Sequence, residues 1–368
     1  MVKGWCPDAW HPMAAGDGLL VRVRPPLGRI EAAQLVGLGE AVATYGNGLS
    51  DLTSRANLQI RGVREQGWRP LVERLVALGL TDADPAREAR RALMVAPDWQ
   101  AGDDTVRIAE ELIARLAELP KLPAKVGFVI DAGDAPHLIG EAGDFRIERG
   151  AHGGLILRAD GRTLGADLAV GQEVDALLKL AHWFVASGGP AAGRMARHDA
   201  SLPDWAEGRI PPASAAMPVW VGAHPLGFAY GAPFGQIEAP TLAELATGAI
   251  RLTPWRTLIV EGGDGRPVGG LLRGPSDPLL RVDACPGAPR CPQASVETRA
   301  LARRIAPHVG GRLHVSGCAK GCARASAADL CITGRDGHYD LTKNARAGSP
   351  PLQAGMDAPA LLAHLGVY

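Results

Sequence analysis

The sequence predicts an α+β protein built twice over, and three observations carry that prediction. The segment Pro26-Leu27-Gly28-Arg29-Ile30-Glu31-Ala32-Ala33-Gln34-Leu35 returns almost unchanged as Pro233-Phe234-Gly235-Gln236-Ile237-Glu238-Ala239-Pro240-Thr241-Leu242. Each copy sits in the same succession of patterns, alternating, then helical, then alternating again. The segments beyond each copy correspond as well, yet only the second contains a cluster of cysteines.

In the first copy residues 18–24 alternate as a strand, residues 31–44 have helical periodicity, and Leu52-Thr53-Ser54-Arg55 opens a second strand running to Arg61. Residues 227–231, 241–249 and Leu252-Thr253-Pro254-Trp255 repeat that order. Each unit is half of a compact sandwich, and two halves related by a pseudo-twofold complete one domain. Downstream, a helix at 106–119 and a strand at 125–130 match a helix at 296–306 and a strand at 312–315. The expected division is therefore 1–80 and 81–198 for the first half-domain and its α/β module, then a Pro/Ala-rich linker at 199–218. The second half-domain follows at 219–275 and the second α/β module at 276–368.

Hydrophobic content of 46% and charged content of 21% are globular values. Lys plus Arg and Asp plus Glu both number 39, so no global field favours nucleic acid or an anionic membrane. An anionic ligand must then be held by a local basic patch. The start of the chain has no apolar signal-like region and no stretch is long enough to cross a bilayer, so a cytoplasmic protein is expected. Clustered rather than framework cysteines agree with a reducing compartment.

Cys285-x5-Cys291 and Cys318-x3-Cys322 gather four of the six cysteines into one short region. Structural zinc sites bring paired ligands two to four residues apart, and the five-residue gap fits that rule badly. Iron–sulfur clusters accept wider spacings and often have Pro after a ligand, as in Cys285-Pro286 and Cys291-Pro292. Pro292 suits the start of a helix through Glu297 with Cys291 at its N-cap, and residues 323–328 read as a helix after Cys322, so helix N-termini would face both pairs. Cys331 sits in an apolar strand and reads as core, and Cys6 as packing.

Two runs of donors stand out on the first copy. Arg22 and Arg24 share a face opposite Leu19, Val21 and Val23, while Thr53, Arg55, Asn57, Gln59 and Arg61 share one opposite Leu58 and Ile60. A pair of arginines on a sheet is ordinarily a solvated face, but five clustered donor positions favour an anion site. The guanidinium fork matches carboxylate geometry.

This combination resembles the nitrite and sulfite reductase superfamily over nearly the whole chain: the repeated half-domain, Thr53-x-Arg55-x-Asn57-x-Gln59-x-Arg61, and the four-cysteine motif. Within it, Gly4-Trp5-Cys6-Pro7 through Met13-x-x-Gly16-Asp17-Gly18-Leu19-Leu20-Val21-Arg22 looks most like the precorrin-3B synthase branch. The resemblance implies two ferredoxin-like half-domains forming one domain, and a [4Fe-4S] cluster on Cys285, Cys291, Cys318 and Cys322. Reductases of the superfamily also hold sirohaem and surround a small oxyanion with two arginines and two lysines. Arg55 matches the first arginine, Arg91 the second although Ala92 follows it where Asn is usual, and Lys125 the first lysine. Gly127 stands where the second lysine would be, so one proton-delivering cation is missing.

The resemblance therefore implies a monooxygenase that hydroxylates precorrin-3A at C20 and closes a γ-lactone. Arg22, Arg24, Arg55, Asn57, Gln59, Arg61, Arg91 and Lys125 would receive the tetrapyrrole carboxylates. It further implies O2, NAD(P)H-derived electrons through an electron-transfer partner, and a mononuclear non-haem iron. Neither the catalytic residues nor the ligands of that iron are legible; His11 and the His198-Asp199 pair are the only positions to consider. The alternatives are a sirohaem-dependent sulfite or nitrite reductase and a non-catalytic iron–sulfur electron carrier.

Overall fold

The computed structural model describes residues 7–367, so Cys6 lies outside the described residues. The first quarter of the chain runs β1 (Met13–Ala15), β2 (Gly18–Val23), β3 (Arg29–Ile30), α1 (Ala32–Tyr45), β4 (Leu49–Leu52), β5 (Leu58–Val63), α2 (Glu65–Ala77) and α3 (Pro85–Arg90). The second runs β6 (Leu93–Val95), α4 (Asp104–Ala114), β7 (Phe128–Asp131), β8 (Phe145–Arg149), β9 (Leu155–Ala159), β10 (Ala166–Leu168), α5 (Glu173–Ala186) and α6 (Gly189–Ala192). The third runs β11 (Gly222–His224), β12 (Gly227–Gly231), β13 (Gln236–Glu238), α7 (Ala239–Glu244), β14 (Ile250–Leu252) and β15 (Thr257–Glu261). The last runs β16 (Val282–Ala284), α8 (Arg299–Ile305), β17 (Leu313–Ser316), β18 (Ala328–Arg335), β19 (His338–Ala345), β20 (Gln353–Met356) and α9 (Ala358–His364).

Among the described residues these strands form four sheets of five, in two matched pairs. The half-domain sheets have the orders β1-β2-β5-β4-β13 and β11-β12-β15-β14-β3, and the module sheets β10-β9-β8-β7-β6 and β20-β19-β18-β17-β16. In each module three parallel strands are followed by two antiparallel ones. The duplication thus extends to sheet order and strand direction.

Each half-domain sheet takes its last strand from the other repeat. Gln236 of β13 pairs with Asp51 of β4, and Arg29 of β3 pairs with Arg251 of β14. This exchange explains the repeated motif. Leu27 and Phe234 both lie in the left-handed region at φ 53° and 59°, and the glycines after them at 68° and 76°. Two successive left-handed residues redirect the chain across the molecule, and glycine takes the second of them without a Cβ clash. One continuous core results, with Val21, Leu58 and Ile60 of one repeat packed in the same cluster as Ile250, Leu258 and Val260 of the other. Helices α1 and α7 close over it, and Gly39 allows the approach, since a Cβ there would stand 3.0 Å from the carbonyl oxygen of Ala239.

Several expected elements are shorter than their patterns. Residues 53–57, read as strand, form the turn joining β4 to β5, with Ala56 at φ 51°. The amide of Thr53 donates to the carbonyl of Asn57 (2.9 Å), closing that turn. The expected 241–249 helix runs from Ala239 and stops at Glu244, and Gly248 beyond it lies against the backbone of Glu261. The 125–130 strand starts only at Phe128, and the 296–306 helix only at Arg299. The linker is bound along the first module: the amide of Ala151 donates to Pro211 and that of Ala213 to Arg149, at 2.9 and 2.8 Å.

Candidate functional site

A cleft of about 630 Å³ opens where the first half-domain sheet, the 253–256 turn of the second half-domain and the cysteine-bearing module meet. Its volume lies in the usual range for small-molecule sites. Asp51, Gln59 and Arg61 form one side, Phe234, Trp255 and Trp220 a second, and Asp283, Cys285, Arg299, Arg312 and Cys322 the third. The arginines 61, 256, 299 and 312 outnumber the lining carboxylates Asp51 and Asp283, so the wall is net cationic.

The cysteines converge because β16 and β17 are parallel neighbours whose C-terminal ends lie on one edge. Cys285 follows β16 directly, and Cys318 comes two residues after β17. Cys285 is buried and its Sγ accepts a hydrogen bond from the amide of Gly317 (3.2 Å). Cys322 is exposed toward the cleft. Burial pushes its thiol up, Lys320 pulls it down, and Cys318, Cys285 and Cys291 each push it up again, so the other three thiols all lie within electrostatic reach of Cys322. The two cysteine loops pack backbone to backbone: a Cβ on Gly317 would stand 2.5 Å from that of Ala294.

The expected helices around the cysteines are absent. Residues 291–298 and 323–327 are turns and bends. The amide of Ser295 donates to the carbonyl of Gly317 in the other loop (2.9 Å), and within the first loop that of Ala288 donates to Val296 (2.9 Å), which a helix from Pro292 would forbid. Loop amides rather than helix N-termini therefore face sulfur, with the Gly317 amide on Cys285 as the instance observed.

Among the described residues no three His, Cys, Asp or Glu side chains close on a point that could hold a single metal ion. Each of the histidines considered for a mononuclear iron has a local partner at one ring nitrogen. His11 Nδ1 pairs with Asp8 (3.1 Å), and His198 Nε2 with the Ser187 hydroxyl (2.7 Å), its ring packed on Trp183 and Phe184.

The expected carboxylate receptors divide into three groups. Gln59 and Arg61 line the cleft, whereas Arg22, Arg24, Arg55 and Asn57 line a small separate pocket with Gly127 and Phe128. Arg91 and Lys125 line neither of these. Several donors are already committed. Arg61 grips Asp17 through Nε and Nη2, both at 3.0 Å, and Asp51 through Nη1 at 3.1 Å. Arg24 Nη1 donates to the carbonyl of Glu88 (2.9 Å), and Arg91 to the Glu88 carboxylate (2.8 Å) and the carbonyl of Arg24 (2.8 Å). Lys125 is exposed, and its carbonyl receives Arg55 Nη2 at 2.8 Å. Sequence alternation shows which residues share a face, but not which of them are consumed by internal carboxylates.

Reading the sequence also missed the second copy's share of the cleft. Trp255 occupies the place in its turn that Arg55 holds in the first, and its Nε1 is held by Glu141 (2.7 Å). Arg256, at φ 60° like Ala56 at 51°, pairs with the buried Asp283 (2.7 Å), which Arg312 and Arg324 also approach at 3.4 and 3.3 Å. Alignment of the two repeats placed Trp255 and could have pointed to the cleft. The long-range Asp283 cluster had no local signal.

The family profile for the nitrite/sulfite reductase ferredoxin-like half domain matches residues 11–78. The chain is 32% identical to a precorrin-3B synthase of a Sinorhizobium species, over 95% of this chain and 85% of that one. It is 25% identical to a ferredoxin–nitrite reductase of Synechococcus elongatus, over 90% of this chain and 78% of that one. The fold is similar to that of the Mycobacterium tuberculosis NirA protein, with a TM-score of 0.60 and 19% identity over 93% and 78% of the two chains. Full-length identity above thirty per cent, the duplicated sheets and the half-domain match together show that the chain belongs to the precorrin-3B synthase family, within the nitrite and sulfite reductase superfamily.

Proposed function

We propose that this chain takes precorrin-3A as substrate, hydroxylates it at C20 and closes a γ-lactone in an O2-dependent reaction. The observation that carries this reading is the single cleft in which two of the four clustered cysteines, a fixed aromatic wall and an excess of arginines face one another. A tetrapyrrole is a flat apolar macrocycle rimmed by carboxylates. Trp255, held through Glu141, and Phe234 offer surfaces for its face, while the cationic wall suits its rim.

The cysteines 285, 291, 318 and 322 would hold a [4Fe-4S] cluster, which supplies single electrons when bound. Those electrons would derive from NAD(P)H through a partner protein. One atom of O2 enters the product and the other leaves as water, taking up two electrons and two protons. Of the first-copy positions, Gln59 is proposed to meet a substrate carboxylate in the cleft, and Arg22, Arg55 and Asn57 one that reaches the small separate pocket. Arg24, Arg61 and Arg91 act behind them by fixing the sheet and its approach to α3. A cytoplasmic setting suits this chemistry, and no helix among the described residues is long and apolar enough to cross a membrane.

Gly127 argues against oxyanion reduction beside Arg55 in the small pocket. An ideal Cβ there would stand 3.6 Å from Arg55 Nη1, beside the small basic pocket, yet the position carries no cation. Protons and charge stabilisation for a departing oxygen would be correspondingly weaker. The test is an optical and EPR spectrum of anaerobically purified protein with iron, sulfide and zinc analysis. Broad cluster absorption with about four irons per chain and no sirohaem band is expected. An intense sirohaem band would promote the reductase reading, and stoichiometric zinc would remove the cluster.

A further inference from the structure

We propose that Arg299, at the start of the helix that follows the cysteine loop, receives a carboxylate of the tetrapyrrole at the cluster-side wall of the cleft. This deepens the reading of the cleft as a tetrapyrrole site and rests on it. Nothing in the sequence pattern singles the residue out, because it lies on a short helix far from the basic strands.

Its surroundings distinguish it from the other arginines of the cleft. Arg61 makes three hydrogen bonds of 3.0 to 3.1 Å to Asp17 and Asp51. Arg256 is held by Asp283 (2.7 Å) and by the carbonyls of Val282 (3.1 Å) and Ala323 (3.2 Å). Arg299 is more enclosed than Arg256, its side chain 11% exposed, yet its partners are poor. Both terminal nitrogens reach only Asp51, each at 3.4 Å, and Nε is buried with no hydrogen-bond partner. Asp51 gives its other oxygen to Arg61 at 3.1 Å, so its single charge is shared between two guanidiniums. A largely buried cation in the wall of a ligand-sized cleft, with long bonds to one shared carboxylate and one donor unmet, is costly unless an anion completes it.

Position gives the contact its consequence. Thr298, the residue before it, donates its hydroxyl to the carbonyl of Cys285 (2.5 Å). A carboxylate on Arg299 would therefore be registered against the cysteine loop itself, fixing the distance of the macrocycle from the cluster ligands. Asp51 and Arg61 tie the same point to the first half-domain sheet.

The probe is uroporphyrin, an octacarboxylate tetrapyrrole, titrated against the cluster-containing full-length protein by fluorescence quenching. Arg299→Gln should weaken binding by about 10- to 100-fold with iron and sulfide content unchanged, the range for a hydrogen-bonded charged group. Arg299→Lys, which keeps the charge but loses the fork, should fall between and guards against a folding defect in the glutamine variant. Arg304→Gln, in the last turn of the same helix and exposed, should bind as the wild type does. Wild-type affinity in both Arg299 variants would overturn the assignment while leaving the tetrapyrrole reading intact. Absence of uroporphyrin binding by the wild type would overturn that reading and the assignment with it.

Discussion

Single residues separate cluster chemistry from packing. Cys318→Ser should abolish the cluster, measured as loss of iron and acid-labile sulfide. Cys331→Ser should keep it, since Cys331 is fully buried in β18 with its Sγ 3.6 Å from His314 Nδ1. Retained iron and sulfide in the Cys318 variant would remove that ligand from the assignment. The arginines divide in the same way. Arg55→Ala should weaken tetrapyrrole binding by about 1.5–3 kcal/mol with the cluster present, the range for hydrogen bonds to charged groups. Arg61→Ala should instead destabilise the fold, because it strands Asp17 and Asp51 without their main partner; about 3 kcal/mol is expected in chemical denaturation. An Arg61 variant of full stability and reduced tetrapyrrole affinity would return that residue to the ligand.

Elements are joined across the repeats by charge as well as by exchanged strands. Glu261 of β15 accepts Arg29 of β3 through two bonds of 2.8 Å and Arg251 of β14 at 2.6 Å. Arg29 first, then Arg251, hold its carboxyl down to about 2 from 4.5, against the opposing effect of burial. Because the folded value lies below the unfolded one, this stabilisation is fully present above about pH 4.5 and is lost as pH falls toward 2. After allowance for solvent screening it is worth about 1–2 kcal/mol. Glu261→Gln should therefore lower stability at pH 7 by about that amount and flatten the acid limb of a denaturation series. Equal losses at pH 7 and pH 2.5 would contradict the pairing. The exchange itself was not legible beforehand. Strands β3 and β13 are two and three residues long, too short for a periodicity to register, and their partners lie some two hundred positions away.

At the scale of the whole molecule, the duplication was legible because its motif encodes a backbone event, the paired left-handed residues, that few other sequences satisfy. The cysteine cluster was legible because thiol spacing survives any folding of the intervening chain. The helices expected beside it were not formed, since Pro292 marks a permitted helix start without requiring one, and the two cysteine loops bond to each other instead. The division of labour among the arginines was hidden for a related reason: Asp17, Asp51 and Glu88 consume donors that alternation alone leaves open. What the folded chain adds is the meeting of both repeats at one cleft, with an aromatic turn where the first copy has an arginine. The most direct test of the account is turnover of precorrin-3A under 18O2 with a reduced electron donor, followed by mass spectrometry of the tetrapyrrole. The account predicts an O2-dependent hydroxylated lactone carrying one labelled oxygen, with negligible sulfite or nitrite reduction by the same preparation. Unchanged precorrin-3A alongside robust sulfite or nitrite turnover would contradict it.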